Sequence, residues 1–172
     1  GRVLSISPLE GSEELGALPI LAPGLIDLQV NGAGGHDLNG SSPTPETVLA
    51  LADTLRKVGV TAFCPTVMTA ALEDMAARLR AIDEAVRRHP ALARAIPCIH
   101  LEGPFLSPED GPSGAHPVEH VRPASLEVFE ALQAQAGGRI GIVTLAPEVP
   151  GALGLIRELA RRGIVVSIGH TA

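Results

Sequence analysis

Five short apolar runs punctuate this chain, and the stretches between them carry apolar residues at helical spacing. The runs are LIDLQVNG (25–32), VTAFCPTVM (60–68), AIPCIHLEG (95–103), IGIVTLAPE (140–148) and IVVSIGH (164–170). Near-continuous runs of this kind predict strands buried on both faces. Val48, Leu51, Leu55 and Val58 predict a first helix; Leu72, Met75, Leu79, Ile82 and Val86 predict a second. Leu126, Phe129 and Leu132 mark a third, and Leu153, Ile156 and Leu159 a fourth. Thr44 is placed to cap the first helix, with Pro45 at its first position, and Ser125 to cap the third. Strand and helix in strict alternation predict an α/β fold with a parallel sheet covered by helices.

Two architectures satisfy that pattern, a doubly wound open sheet and a (β/α)-barrel. A dinucleotide-binding open sheet needs G-x-G-x-x-G after its first strand. In NGAGGHDLNG the third glycine of that fingerprint would fall on Asp37, so the match fails. Polar residues gather instead at the ends of several strands: Gln29 and Asn31, Thr66, Glu102, Glu148 and His170. A barrel with its site at the C-terminal face has that distribution. Eight strands close such a barrel, and five are expected here. Residues 1–22 read differently, as a short strand GRVLSI, a polar loop and a short run ended by Pro23 and Gly24. Residues 1–22 therefore stand apart as a scrap of β-structure with little core of its own, and 23–172 carry the alternating strands and helices.

Composition limits the function classes. The formal net charge is −6 and Lys57 is the only lysine, so no basic face for nucleic acid is expected. The two cysteines, Cys64 and Cys98, each lie in an apolar run with no CxxC, which predicts buried free thiols in a reducing compartment, the cytoplasm. No signal peptide is expected at the start. The apolar runs are too short to span a membrane, so no membrane partner is expected.

The chemistry centres on IHLEGPF (99–105). Alternation puts Cys98, His100 and Glu102 on one face of their strand, inward in a barrel. Glutamate is rarely buried without a partner. Glu102 ends its strand just before Gly103-Pro104, and His170 ends another strand of the same sheet. A carboxylate and an imidazole at two strand tips are suitable ligands for a divalent metal such as Zn²⁺. His100, one layer deeper, reads as a packed histidine. The inward set of the first strand is Asp27, Gln29 and Asn31. Amides at Gln29 and Asn31 bind zinc poorly and suit hydrogen bonds to a substrate, so one principal metal is expected. The loop SPEDGPSGAHPVEHVRP (107–123) lies over the mouth, where binding residues concentrate. Within it, His116 follows Gly114-Ala115, small residues that admit a ligand close to the backbone, while His120 reads as solvent-facing.

The motifs APGLIDLQVNGAGGHD, HLEGPFLSPEDGPSGAHPVEHVR, VTLAPE and VVSIGHTA stand in the order seen in N-acetylglucosamine-6-phosphate deacetylases of the amidohydrolase superfamily. The resemblance runs from Leu21 to Ala172. It implies a TIM-type (β/α)₈ barrel of which about the first five strands are present, with residues 1–22 as a remnant of a small β-sandwich. It implies metal-dependent hydrolysis of the acetamide of N-acetylglucosamine 6-phosphate to glucosamine 6-phosphate and acetate. By position, Glu102 and His170 match the metal ligands, and Ala115 and His116 the pair that contacts the amino sugar. Gln29 and Asn31 match members that hold one metal ion, Zn²⁺ first, with Fe²⁺, Co²⁺ or Mn²⁺ as alternatives. The resemblance further implies a homodimer, and a catalytic aspartate and second histidine ligand beyond Ala172. The segment alone is then expected to be inactive. Two other readings stay open. One is an amidohydrolase acting on a cyclic amide, which usually carries His-x-His where this chain has Gln29-Val30-Asn31. The other is a non-catalytic sugar-phosphate-binding half-barrel.

Overall fold

The computed structural model describes residues 5–6, 21–41 and 43–172. Apart from residues 5–6 and 21–22, the small β-domain expected over 1–22 lies outside the described residues. The strands are β1 (Leu25–Val30), β2 (Gly32–Ala33), β3 (His36–Asp37), β4 (Val60–Met68), β5 (Ile99–Glu102), β6 (Ile140–Leu145) and β7 (Val165–Ile168). The helices are α1 (Pro45–Lys57), α2 (Leu72–Arg88), α3 (Pro90–Ala95), α4 (Leu126–Gln135) and α5 (Ala152–Arg161). Five strands form one sheet in the order β1-β4-β5-β6-β7, each pair parallel. A doubly wound sheet reverses its strand order at a switch point. Here the order follows the sequence throughout, which is the arrangement of consecutive strands in a (β/α)-barrel. The antiparallel pair β2–β3 is a small hairpin within the glycine-rich stretch.

Register fixes which side chains share a face. Met68 pairs with Glu102, Glu102 with Thr144, and Thr144 with Ser167, so one row crosses four strands near their C-terminal ends and is polar on the last three. The adjacent row, Val67, Leu101, Val143 and Val166, lies on the opposite face. There it joins a core with Leu51, Met75, Leu79, Phe129, Leu132, Leu155 and Leu159. Fully burying a side chain of this size contributes about 1.5–3 kcal/mol, so the helices are held by their apolar stripes.

Helix α1 starts as its sequence predicts. The Thr44 side chain accepts from the Thr47 backbone N–H, and the Thr47 side chain accepts from Thr44 N–H. The helix ends sooner than its apolar spacing predicts. Val58 sits past its last turn, 69% exposed, and the chain reverses at Gly59 with φ +89°. The apolar stripe of α5 keeps the expected Ile156 and Leu159 against the core but not Leu153. Ala152, Leu155 and Leu159 are buried, whereas Leu153 is 60% exposed. Spacings of three and then four keep pace with a 3.6-residue turn; the 153-156-159 series drifts round the helix. Leu126, the first residue of α4, faces partly outward, and Phe129 and Leu132 carry its contact.

Candidate metal centre

Glu102 closes β5 on the polar face and is buried. Its backbone carbonyl accepts from the Thr69 hydroxyl at 3.2 Å, which anchors the strand tip. Gly103 then turns the chain with φ +83°, ahead of a cis bond to Pro104. A side chain at position 103 would overlap the Thr69 hydroxyl. Gly103 N–H donates to Thr144 carbonyl at 3.0 Å, and Ala146 N–H donates to Phe105 carbonyl at 2.9 Å, so the turn is stitched to β6. Burial alone would raise the Glu102 carboxyl; the His116 and His170 imidazoles beside it hold it below the usual carboxylate range.

His170 follows Gly169 at the tip of β7, with its backbone at φ +53°. Its carbonyl accepts from Ser107 N–H at 2.9 Å. Its ring Nδ1 lies 2.9 Å from the carbonyl oxygen of Pro112, and its Nε2 lies 3.2 Å from Glu102 Oε1. A carbonyl only accepts, so Nδ1 carries a proton. In a neutral ring Nε2 is then a lone pair aimed at a carboxylate oxygen. Two acceptors so placed require a positive charge, either a second proton on the ring or a cation near both atoms. Fixing a histidine's tautomer through a carbonyl on its other nitrogen is the usual support for a metal-binding imidazole.

His116 reaches the same place from the loop. It is buried, and its Nε2 lies 3.9 Å from Glu102 Oε1, too far for a hydrogen bond. Its ring meets that of His170 edge-on, with centroids 4.5 Å apart. Glu102, His116 and His170 each offer a ligand atom, and these atoms all lie within 4.8 Å of one another. One carboxylate and two imidazoles are a donor set that fits a divalent metal. The sequence reading placed His116 on substrate alone; the structure brings it beside the metal candidates as well. A loop histidine gives no sequence signal for that, because the turn from Ser107 to His116 determines where it lands.

The other expected residues divide. Gln29 Nε2 donates to Glu102 Oε1 at 3.0 Å, so the amide orients the carboxylate. Asn31 follows β1, and its Oδ1 is buried without a hydrogen-bond partner among the described residues, as is His116 Nδ1. Ala115 is exposed at the loop surface beside His116. Asp27 accepts from the Gln29 backbone N–H at 3.1 Å. His100 is satisfied internally. Its Nδ1 donates to the Leu28 carbonyl at 3.0 Å, and the Thr144 hydroxyl lies 2.7 Å from Nε2. Burial lowers its pKa, in keeping with a packed role. Cys64 on β4 and Cys98 just before β5 are free, with sulfurs 3.6 Å apart; Cys64 is buried as expected, whereas Cys98 is half-buried. Burial and Cys98 push the Cys64 thiol up to about 12, far from a reactive thiolate. No helix among the described residues is long and apolar enough to cross a membrane.

No family model matches the chain. It is 41% identical over 155 residues to N-acetylglucosamine-6-phosphate deacetylase of Bos taurus, covering 88% of this chain and 37% of that protein. The enzyme of the same name from Bacillus subtilis (strain 168) is 38% identical over 154 residues, covering 88% and 38%. Among solved structures, a Mycobacterium smegmatis N-acetyl-D-glucosamine-6-phosphate deacetylase variant in complex with N-acetyl-D-glucosamine-6-phosphate superposes with a TM-score of 0.76 at 31% identity. That match covers 87% of this chain and 37% of the other. These three carry one enzyme name, an N-acetylgalactosamine-6-phosphate deacetylase of Escherichia coli O157:H7 is also 32% identical over 172 residues, and this chain spans a little over a third of the length of the first relatives.

Proposed function

We propose that this chain carries the metal-holding part of an N-acetylglucosamine-6-phosphate deacetylase. The observation that carries the reading is the Glu102–His170 pair. A tautomer-fixed imidazole and a buried carboxylate face each other 3.2 Å apart, as two acceptors awaiting a cation. Glu102 and His170 are assigned as its ligands, and Zn²⁺ suits one oxygen and one imidazole nitrogen. A divalent ion there supplies Lewis acidity for attack of water on an acetamide carbonyl.

The remaining roles belong to this chain's side chains. Gln29 holds the rotation of Glu102. His116, at 3.9 Å the more distant imidazole, is assigned to substrate. Its buried, unpartnered Nδ1 can donate to a carbonyl oxygen as that oxygen becomes negative, the strongest single electrostatic contribution available to such a site. The unpartnered Asn31 Oδ1 accepts from a sugar hydroxyl or N–H. Ala115 leaves room for the sugar against the loop. The 1–22 segment is assigned to a small β-sandwich and 23–172 to the barrel. Free thiols fit a reducing cytosol, and the full-length protein is assigned as a homodimer.

The test uses the full-length enzyme. Acetate release from N-acetylglucosamine 6-phosphate should stop on chelation and return with Zn²⁺. His116→Asn should keep its metal and lower turnover by about 10²–10³-fold, as for loss of one oxyanion donor. Loss of metal in that variant would make His116 a ligand instead, and absence of acetate release in the metal-loaded wild type would end the deacetylase reading.

A further inference from the structure

We propose that Glu148 is a positioning residue that holds His170 in its ligand geometry. The inference rests on the reading of His170 as a ligand to a divalent cation. Glu148 lies in the turn after β6 and is exposed, so packing does not explain a carboxylate there. Its two oxygens grip the two residues that follow His170. Oε2 accepts from the Thr171 hydroxyl at 2.7 Å, and Oε1 accepts from Ala172 N–H at 2.9 Å.

The grip falls where the backbone most needs holding. His170 is the only non-glycine with positive φ among the described residues, at +53°. L-residues visit this left-handed region rarely and keep it only when the surroundings determine it. Three elements supply that determination. On the near side, Gly169 N–H donates to the Leu145 carbonyl at 3.2 Å. At His170 itself, Ser107 N–H bonds the carbonyl and Pro112 accepts from the ring. On the far side, among the described residues, the hydrogen bonds to Thr171 and Ala172 come from Glu148. Relaxation of φ at residue 170 would swing the imidazole away from Glu102. Glu148 therefore acts on the metal site through the backbone, without touching the ion or the substrate.

Co²⁺ titration of the full-length protein, followed by its visible absorption, reads the effect directly, and thermal melting of the metal-free protein reads stability separately. Glu148→Ala should weaken Co²⁺ binding by about 10-fold or more, the scale of other outer-shell losses. Glu148→Gln, which keeps the shape but only one acceptor, should fall between it and wild type. Thr171→Val should weaken binding a few-fold, and adding it to Glu148→Ala should cost nothing further, since one interaction is removed twice. Unchanged affinity with a lower melting temperature would mean a purely structural hydrogen bond and overturn the proposal, as would additive effects of the two changes. A wild type that binds no Co²⁺ overturns the metal reading and this proposal together; a binding wild type with an equally tight Glu148→Ala overturns this proposal alone.

Discussion

Gly103 shows how much of the site depends on a single residue that carries no chemistry. It follows the buried carboxylate of Glu102 at φ +83°, against the Thr69 hydroxyl that anchors the strand tip. Gly103→Ala combines a left-handed alanine with a steric overlap. It should destabilise the protein by about 2–4 kcal/mol, beyond the usual range for a surface change. Urea unfolding of the metal-free protein measures this; a loss under ~0.5 kcal/mol would mean the turn tolerates a side chain. Residues of this scale divide by how legible they were. Glu102 and His170 could be read from strand alternation and strand ends, because a period of two and a strand tip are local properties. The partners of His170 could not. Pro112 acts through a backbone carbonyl, which every residue has, and Glu148 acts on a segment 23 positions away through a turn whose path the sequence does not encode locally.

Among the elements, the five strands are placed by their apolar runs, with ends shifted by a few residues where Gly and Pro intervene. Helix phase proved harder. On α5, two overlapping series of apolar residues compete: Ala152, Leu155 and Leu159 are buried, Ile156 packs half-buried against the core, and Leu153 is exposed. Leu155→Ala should therefore cost about 2–5 kcal/mol, while Leu153→Ala should change stability by less than about 0.5 kcal/mol. Chemical denaturation of the two variants side by side decides it, and equal losses would reverse the assigned face. The short α3 and the β2–β3 hairpin escape prediction for another reason. Each is held by its neighbours rather than by its own pattern: Leu92 of α3 is buried in the common core, and Leu38 N–H beyond the hairpin donates to the Asn31 carbonyl at 2.9 Å.

At the scale of the molecule, both outer strands of the described sheet present apolar side chains. Leu25, Ile26 and Leu28 on β1 are 62%, 66% and 60% exposed, and Val165 and Ile168 on β7 are 59% and 54% exposed. Open edges bearing such residues recruit further strands. The 172-residue chain by itself should self-associate in sedimentation at micromolar concentration, and Ile26→Lys with Val165→Lys should reduce that association. A monodisperse monomer with a cooperative melt would show that these edges are tolerated as they stand. One earlier feature bears on the order in which such a molecule assembles. The tip of β7 is tied to the loop after β5, across β6, by contacts between residues 63 and 68 positions apart, Ser107 to His170 and Glu102 to His170. Contacts so distant in sequence form late, after the intervening strand and helices have closed the loop between them. Conversely, β7 cannot fray alone without breaking the constellation at its tip. Amide protons at the end of β7 should exchange together with those of the Ser107–His116 loop, as one cooperative unit. The contacts among Glu102, Ser107 and His170 are then the seam at which β7 locks onto the described strands before it.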